Sequence, residues 1–334
     1  MTSITTDPRT LRQTLATYQR PSLWRSLFEI VITAGPLAAL WGIAWYALDH
    51  HMWWGLLLTV PAAFFLVRLF MIQHDCGHGA FFKHKMLNDW VGRIIGVLTV
   101  TPYDYWRRTH AIHHATSGNL DRRWLGGVET LTVDEYRALP PIKRFGYRLY
   151  RNPVVLFLIG PGYMFLLQHR LPIGLMKERK AWLSVLGNNL GLALLVFGLM
   201  WLGGVGPFLM VHLPVVLLSA SIGVWLFYVQ HQFEGAYWVR NEDWNLAEAS
   251  LKGSSHYKLP PLLTWLTANI GAHHVHHVGS KIPYYRLPQV LKDHPELDEM
   301  SQVTLWESFK TVRLTLWDEA RGRLVSFREA RKRR

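Results

Sequence analysis

The sequence predicts an all-α integral membrane protein with four transmembrane helices. Half of its 334 residues are apolar and only 18% are charged, a composition typical of membrane proteins. Several uncharged runs approach the ~20 residues that a helix needs to cross a bilayer. Nearly all lysines and arginines fall on one side of these runs, as the positive-inside rule expects of a multi-pass membrane protein.

The predicted spans follow an N-terminal polar segment, residues 1–26, which we expect to be a cytosolic tail. The apolar run after it is too long for the core of a cleaved signal peptide. Arg68 lies near the end of the second run and is expected to snorkel to the interface. The four spans are predicted at about residues 29–48, 52–73, 182–202 and 206–229.

Three other segments belong to the same single predicted domain, residues 1–334. Residues 152–169 carry no formal charge, but proline and glycine interrupt them, so they are predicted to be re-entrant or interfacial rather than spanning. Residues 90–103 are predicted to form an interfacial helix, because their uncharged part is about half a span long. Residues 300–334 predict a basic C-terminal helix or tail.

Charge distribution predicts the orientation. If residues 152–169 do not cross, 35 of the 36 basic residues lie on one side, and only Arg68 is left over. The positive-inside rule then places both termini and all histidine clusters in the cytosol, and a bacterial inner membrane is the expected location. The net charge of +13 indicates a face near anionic lipid and is compatible with an acidic redox partner. We expect no nucleic acid partner.

Histidines form three clusters in this sequence. Residues three or four apart on a helix share a face, so each cluster can direct two or three imidazoles at one point. A single cysteine excludes an intrachain disulfide and a four-thiolate cluster, so the chemistry must depend on histidine and carboxylate. The clusters are His74 with His78; His110 with His113 and His114; and His273, His274, His276 and His277, with His231 as a further candidate.

Eight or nine imidazoles exceed the four ligands of one tetrahedral zinc, so two metal ions are predicted. Nitrogen ligands suit iron, copper, nickel and zinc alike. The membrane setting favours iron, because an apolar substrate offers C–H bonds rather than hydrolysable groups. Histidine ligands need an acceptor for the second ring nitrogen. The acids near enough in sequence are Asp75, Asp104, Asp121, Glu234 and Asp243.

The residues around the histidines carry a family resemblance. Residues 74–82 read His-Asp-Cys-Gly-His-Gly-Ala-Phe-Phe, residues 109–114 read Thr-His-Ala-Ile-His-His, and residues 228–234 read Tyr-Val-Gln-His-Gln-Phe-Glu. The third cluster begins at Asn269 and is followed by Lys-Ile-Pro at residues 281–283. This three-box set resembles the membrane fatty acid desaturase and hydroxylase superfamily, and within it the bacterial and plastid Δ12/ω6 acyl-lipid desaturases.

The resemblance implies four spanning helices under a cytosolic helical cap that holds a diiron site. His274 departs from the pattern, since many relatives have an apolar residue there. Asn269 sits where related enzymes hold an iron through water. The ligands implied by the resemblance are His74, His78, His110, His113, His114, His231, His273, His276 and His277.

The implied reaction removes two hydrogens from adjacent methylenes of an acyl chain, using O₂ and two electrons. The chain shows no dinucleotide fingerprint and has one cysteine, so a separate ferredoxin or cytochrome b5-like donor is implied. The substrate is expected to be an acyl-lipid or acyl-CoA. An apolar tunnel must hold one pair of carbons of the acyl chain beside the metal ions. The proposed tunnel walls are Phe81, Trp106, Trp238 and Trp265.

Two alternatives remain at this stage. A hydroxylase or carotenoid ketolase of the same superfamily would share the boxes and differ in how the substrate is held. A non-catalytic membrane metal-binding or transport protein would instead place polar residues within the spans. The clustering of histidines at the predicted cytosolic ends favours the enzyme.

Overall fold

The computed structural model describes residues 8–123 and 125–332 of the chain. Part of the predicted N-terminal tail, residues 1–7, and the last two arginines, Arg333 and Arg334, lie outside the described residues. The described part is mainly helical, with two small two-stranded sheets. The prediction of a mainly helical protein with four long apolar helices is confirmed, and the two short sheets were not predicted.

In the N-terminal half, two consecutive long apolar helices are followed by several shorter helices. Short 3-10 turns lie at Ala16–Tyr18, Trp53–Leu58 and Gln168–Arg170, and a π-turn lies at Val155–Ile159. In chain order the α-helices are α1 Pro8–Leu15, α2 Leu23–Asp49, α3 Thr59–His78, α4 Lys85–Leu98, α5 Tyr103–Thr116, α6 Val133–Ala138, α7 Pro141–Tyr150 and α8 Gly160–Leu166.

The C-terminal half contains two more long segments and then short elements. A π-turn lies at Phe208–His212 and a 3-10 turn at Tyr284–Arg286. The helices are α9 Arg179–Gly203, α10 Val205–Pro207, α11 Leu213–His231, α12 Leu246–Lys252, α13 Pro261–Leu266, α14 His273–Val278, α15 Leu287–Asp293, α16 Pro295–Asp298, α17 Leu305–Thr311 and α18 Phe327–Lys332. Strands β1 His256–Lys258 and β2 Gln302–Thr304 pair in parallel, and β3 Leu316–Asp318 and β4 Arg323–Val325 pair antiparallel.

Four segments are long and apolar enough to cross a membrane: Leu23–Asp49, Trp53–His78, Arg179–Gly203 and Val205–His231. The first, third and fourth enclose the predicted spans 29–48, 182–202 and 206–229, whereas the second begins one residue after the predicted start at residue 52 and continues past residue 73. Pro214 has no N–H for the helical bond to residue 210, which explains why the fourth segment passes through a π-turn before α11.

Arg68 does not snorkel, contrary to the prediction. Its side chain is buried, pairs with the buried Glu29 of α2, and donates to the carbonyl oxygen of Trp265. The guanidinium also lies 4.3 Å from the centroid of the Trp265 ring. Tyr284 donates to the same Glu29 carboxylate at 3.0 Å. A buried arginine is tolerated only when it is paired and hydrogen-bonded, and these partners meet that condition.

Two of the segments outside the predicted spans, residues 152–169 and 300–334, are built of short elements. Residues 152–169 contain the π-turn and the seven-residue α8, which together are shorter than the four candidate spans. The segment predicted as a basic C-terminal helix or tail contains strand β2, helix α17, the β3–β4 hairpin and helix α18. Val325 and Leu316 of this hairpin pack with Tyr147 of α7 in a small core. Three-residue strands are too short for sequence alternation to reveal them.

His169 lies at the end of the irregular segment and provides a test of its packing. Its ring is 8% exposed and lies between Phe165 and Tyr105 of α5. Burial lowers the pKa of His169 to about 4. In the unfolded chain this residue has a pKa of about 6.5. As pH falls, the unfolded chain therefore binds a proton at His169 before the folded chain does, which lowers the free energy of unfolding.

We expect His169→Phe to lose less stability on acidification than the parent protein. The difference should be about 1 kcal/mol between about pH 7.5 and about pH 5.5, because the destabilising protonation of the unfolded state at this position is removed. Thermal unfolding in detergent at the two pH values measures it, with His84→Phe at an exposed histidine as control. An equal pH response of all three proteins would show that His169 is solvated.

Candidate metal centre

All nine histidines predicted as ligands meet at one end of the helical bundle. They come from the C-terminal ends of α3 and α11, from α5 and from the short α14. The structure divides them into two groups, each with its ligand nitrogens within 4.8 Å of one another. Group A is His74, His78, His110, His114 and His276; group B is His113, His231, His273 and His277.

The facing nitrogens in both groups are Nε2 atoms at close distances. In group A, His110 Nε2 lies 3.1 Å from Nε2 of His74, of His78 and of His114. In group B, His231 Nε2 lies 3.1 Å from that of His113 and 3.0 Å from that of His273. One imidazole nitrogen cannot satisfy three such neighbours with a single proton or lone pair.

A shared cation satisfies these nitrogens. With metal–nitrogen bonds of about 2.1 Å, two ligands at a right angle are about 3.0 Å apart. The observed spacings of 3.0 to 3.2 Å match that separation. The donor sets, five and four nitrogens, therefore fit one metal ion each.

The sequence clusters do not correspond to the metal groups one by one. On α5, His110 and His114 belong to group A, whereas His113 belongs to group B. On α14, His276 belongs to group A, whereas His273 and His277 belong to group B. Each of these two clusters thus directs two imidazoles at one group, as predicted, and contributes its third ligand to the other group. The groups also touch, since the rings of His114 and His277 stack with centroids 4.1 Å apart.

A glycine sets the position of α14. A Cβ at Gly271 would lie 2.3 Å from the carbonyl oxygen of Tyr257, so no other residue fits there. The Tyr257 N–H donates to the carbonyl oxygen of Gly271 at 2.8 Å. This contact fixes α14 against β1, and through it the histidines that α14 contributes to both groups.

Two of the second ring nitrogens have clear acceptors. His74 Nδ1 lies 3.3 Å from a carboxylate oxygen of Asp75, and His231 Nδ1 lies 3.1 Å from the carbonyl oxygen of Gly253. With Nδ1 protonated in this way, the lone pair of Nε2 is free for a metal. Tyr284 N–H donates to the other oxygen of Asp75 at 2.7 Å.

The other four acids proposed as acceptors do not contact the described histidine groups. Asp104 pairs with Arg93 and Asp121 with Arg240, each at 2.8 Å. Glu234 and Asp243 are exposed. Sequence proximity alone therefore identified one true partner, Asp75, because the others face arginines or solvent.

Burial keeps the imidazoles of the site neutral. It lowers the pKa of His113, His273 and His277 well below the usual value for histidine, and neighbouring imidazoles add to the effect. The pKa values of His110, His114 and His276 are lowered for the same reasons. Neutral imidazole is the form that binds metal.

His274, the residue that departed from the family pattern, belongs to neither group. Its Nε2 lies 2.8 Å from the carbonyl oxygen of Leu297, and its ring faces away toward His256. Burial lowers its pKa to about 4. His274 is thus a packing residue of this site.

Asn269 adopts a left-handed backbone conformation and donates to the carbonyl oxygen of Tyr284 at 3.4 Å.

The four aromatic residues proposed as tunnel walls separate into two pairs. Trp106 stacks on His110 with ring centroids 4.6 Å apart, and Trp238 lines a small cavity of about 30 Å³ beside His113 and His231. Phe81 packs on Tyr284, and Trp265 packs on Arg68, as described above. Trp106 and Trp238 are therefore the two that adjoin the histidine groups.

The absence of a side chain at Gly77 leaves room for the indole ring of Trp106. A Cβ at this position would lie 2.9 Å from Trp106 Cζ3, which would push the indole into the ring of His110. We expect Gly77→Ala to lower metal retention and activity about tenfold, the range seen when a ligand's support is disturbed. Gly146→Ala is the matched helical control, because a Cβ there meets open space.

Metal content after dialysis against a chelator, measured alongside activity, tests this. Equal retention in the two glycine variants would contradict the proposed role of Gly77.

Sequence reasoning missed two groups that position the site. Tyr284 joins Asp75 through its N–H and Glu29 through its hydroxyl. Ser184 of α9 accepts from the N–H groups of Asp104 and Tyr105 at 3.1 Å, which caps the start of α5. Both contacts join residues far apart in sequence, so no local signal indicated them.

The chain is similar in sequence to known fatty acid desaturases. The sequence model of the family described as fatty acid desaturase matches residues 51–309. A fatty acid desaturase of Bacillus subtilis is 44% identical over 95% of this chain and 90% of its own length. Two Synechocystis proteins are more distant. An sn-1 acyl-lipid omega-3 desaturase (ferredoxin) is 28% identical over 86% of this chain and 81% of its own length. An sn-1 oleoyl-lipid 12-desaturase is 29% identical over 78% and 72%.

Proposed function

The chain belongs to the fatty acid desaturase family, and from this we propose that groups A and B each hold one iron ion. It is a membrane protein and an oxidoreductase that acts on paired donors with O₂. The observation that carries the proposal is the arrangement of nine imidazole Nε2 atoms in two adjacent groups. We further propose that residues 1–334 form a single desaturase domain.

The reaction is the conversion of –CH₂–CH₂– in an acyl chain to –CH=CH–. One O₂, two protons and two electrons from a donor are consumed, and two waters form. Bound iron would supply the reduction of O₂ that makes removal of unactivated hydrogens feasible. No side-chain base can do this alone, because methylene hydrogens are not acidic.

The protein's own residues supply position and a dry environment. Asp75 orients His74, and the carbonyl oxygen of Gly253 orients His231, so that the lone pairs of both Nε2 atoms face inward. Trp106 covers His110 on one side. Among the nine histidines, those of group B are all buried, which limits water at the reacting carbons.

The orientation proposed is cytosolic for the termini and the site. In this arrangement the four long helices span the bilayer, and α4 to α8 with α12 to α18 form a cap over their histidine-bearing ends. The basic residues of the loops and the C-terminal region support it through the positive-inside rule. A bacterial inner membrane is the proposed location.

The electron donor is proposed to be a separate protein, ferredoxin or a cytochrome b5-like carrier. The names of two cyanobacterial relatives specify ferredoxin. The chain has a single cysteine, and one thiolate cannot supply the four ligands of an iron–sulfur cluster of its own. Reconstitution with reduced ferredoxin, compared with cytochrome b5, identifies the donor by the rate of product formation.

Expression in a host that lacks polyunsaturated lipids tests the function. Gas chromatography with mass spectrometry should show acyl chains with one additional double bond, and elemental analysis of the purified protein should give two irons per chain. An oxygenated lipid or pigment would indicate the hydroxylase or ketolase alternative. One zinc and no iron would indicate a metal-binding or transport protein.

A further inference from the structure

Helix α7 has apolar side chains on two opposite faces. Tyr147 is buried in the small core that α7 forms with the β3–β4 hairpin. On the other side of the helix, Ile142, Phe145 and Leu149 stand at i, i+3 and i+7 and are 75%, 63% and 49% exposed. A helix packed on a protein surface needs one apolar face, and α7 has a second. The described part of the chain leaves this outer face uncovered.

Helix α17 reverses the usual arrangement of a helix on a protein surface. Its buried side chains, Ser308 and Thr311, carry hydroxyls, and these form hydrogen bonds with the hydroxyl of Tyr257 and the carbonyl oxygen of Ser308. Its outer side chains include Trp306, which is 77% exposed, and Phe309, which is 55% exposed. Large apolar side chains on an outer face mark a surface that contacts something other than water.

Both helices are attached to the fourth candidate span at the same level. The Tyr228 hydroxyl donates to the carbonyl oxygen of Thr311, the last residue of α17, at 3.0 Å. It also accepts from the guanidinium of Arg151, the residue that follows α7, at 3.3 Å. Tyr228 lies within the candidate span Val205–His231, close to its histidine-bearing end. The attached ends of α7 and α17 therefore lie where this span meets the cap.

The apolar surface of the fourth span continues onto these helices. The ring centroid of Phe309 lies 5.3 Å from that of Trp225, which belongs to the span. The segment that follows α7 reaches the same tryptophan through Phe157, with centroids 4.8 Å apart. Val154 and Leu158 of this segment are exposed. The lipid-facing side of the span thus extends outward over both α7 and α17.

Cationic side chains accompany the two apolar faces. At about 100° per residue, Lys143 and Arg144 lie on either side of the outer face of α7, and Arg313 follows α17. All three are exposed, and none forms an ion pair within the part of the chain that the structure describes. Cations that border an apolar helix face suit the anionic phosphates of lipid headgroups.

We propose that α7 and α17 insert their outer faces into the headgroup region of the bilayer beside the fourth span. The occupant is lipid rather than protein, because the two faces continue a membrane-spanning surface and are bordered by cations without ion pairs. A helix of this kind lies in the membrane plane, with its apolar residues at the boundary of headgroups and acyl chains. The proposal depends on the four spans and their orientation and is independent of the metal centre and the reaction.

Nitroxide labels on single introduced cysteines test the proposal in the full-length protein. Phe145→Cys and Phe309→Cys place a label on each helix, in vesicles of phosphatidylcholine and phosphatidylglycerol. The native Cys76 is buried, and the parent protein treated with the label gives the background. Power-saturation electron paramagnetic resonance compares collisions with oxygen, which dissolves in lipid, and with a nickel chelate, which stays in water.

The ratio of oxygen to nickel accessibility at both labels should exceed that of a water-exposed label about fivefold or more, because nickel chelates are excluded from the membrane interior. Glu242→Cys, at an exposed position of the cap, is the water control. Phe197→Cys, 66% exposed within the third candidate span, is the lipid control. Ile142→Cys and Trp306→Cys, on the same two faces, replace a variant whose unfolding temperature falls.

Two results would overturn the proposal. Ratios on α7 and α17 equal to that of Glu242→Cys would show that the faces contact water. Low accessibility to both reagents, with spin–spin broadening that disappears on dilution with unlabelled protein, would assign the faces to a second copy of the chain.

Discussion

Replacement of His276 with glutamine is expected to lower bound iron from two to about one per chain and to reduce desaturation more than about a hundredfold. His276 supplies the nitrogen of α14 to group A, 3.2 Å from Nε2 of His114. Glutamine preserves bulk and polarity but offers no imidazole lone pair. Iron content by elemental analysis and product formation by gas chromatography measure the two effects.

The neighbouring His274 provides a stringent control. It lies on the same six-residue helix, yet its Nε2 faces the carbonyl oxygen of Leu297. In His274→Gln the amide can still donate to that carbonyl, so two irons per chain and near-normal activity are expected. Loss of iron from both variants to the same extent would show that α14 responds as a whole, and the assignment of His276 as a ligand would fail.

Asp75→Asn is expected to lower activity about 10- to 100-fold and to speed loss of iron to a chelator by a similar factor. The Asp75 carboxylate accepts from both His74 Nδ1 and the N–H of Tyr284. An amide provides one acceptor oxygen, so one of these two donors loses its partner.

Two measurements separate this positioning role from a general loss of stability. The rate of iron release should change far more than the unfolding temperature, and Asp293→Asn, at an exposed carboxylate, should change neither. An Asp75→Asn protein that releases iron at the parental rate would refute the role given to Asp75.

Sequence could predict the spans and the histidines because both signals are local. Twenty uncharged residues identify a span, and imidazoles three or four apart identify a helix face. The division of His110, His113 and His114 between two groups could not be predicted, because it depends on where α14 lies relative to α5. The contact of Gly271 with Tyr257, which joins residues 14 apart in sequence, helps to fix that placement.

The partners of charged side chains in the helical bundle also could not be predicted from sequence. The prediction that Arg68 reaches the interface used only its position near the end of the second apolar run. Its partner Glu29 lies 39 residues away in sequence, and Trp265 lies 197 residues away. Likewise, Asp104 and Asp121 are near histidines in sequence but face arginines in space. Tertiary neighbours, rather than chain neighbours, decide what a charged side chain does.

The Glu29–Arg68 pair has a consequence for biogenesis. A lone charge in a spanning helix costs a few kcal/mol during insertion, so we expect the first two spans to enter the bilayer together as a hairpin, each neutralising the other. Trp265 and Tyr284 bind this pair only after much of the chain has been synthesised. The full set of hydrogen bonds around Glu29 and Arg68 therefore forms only once the segment that also carries the histidines of α14 has been synthesised.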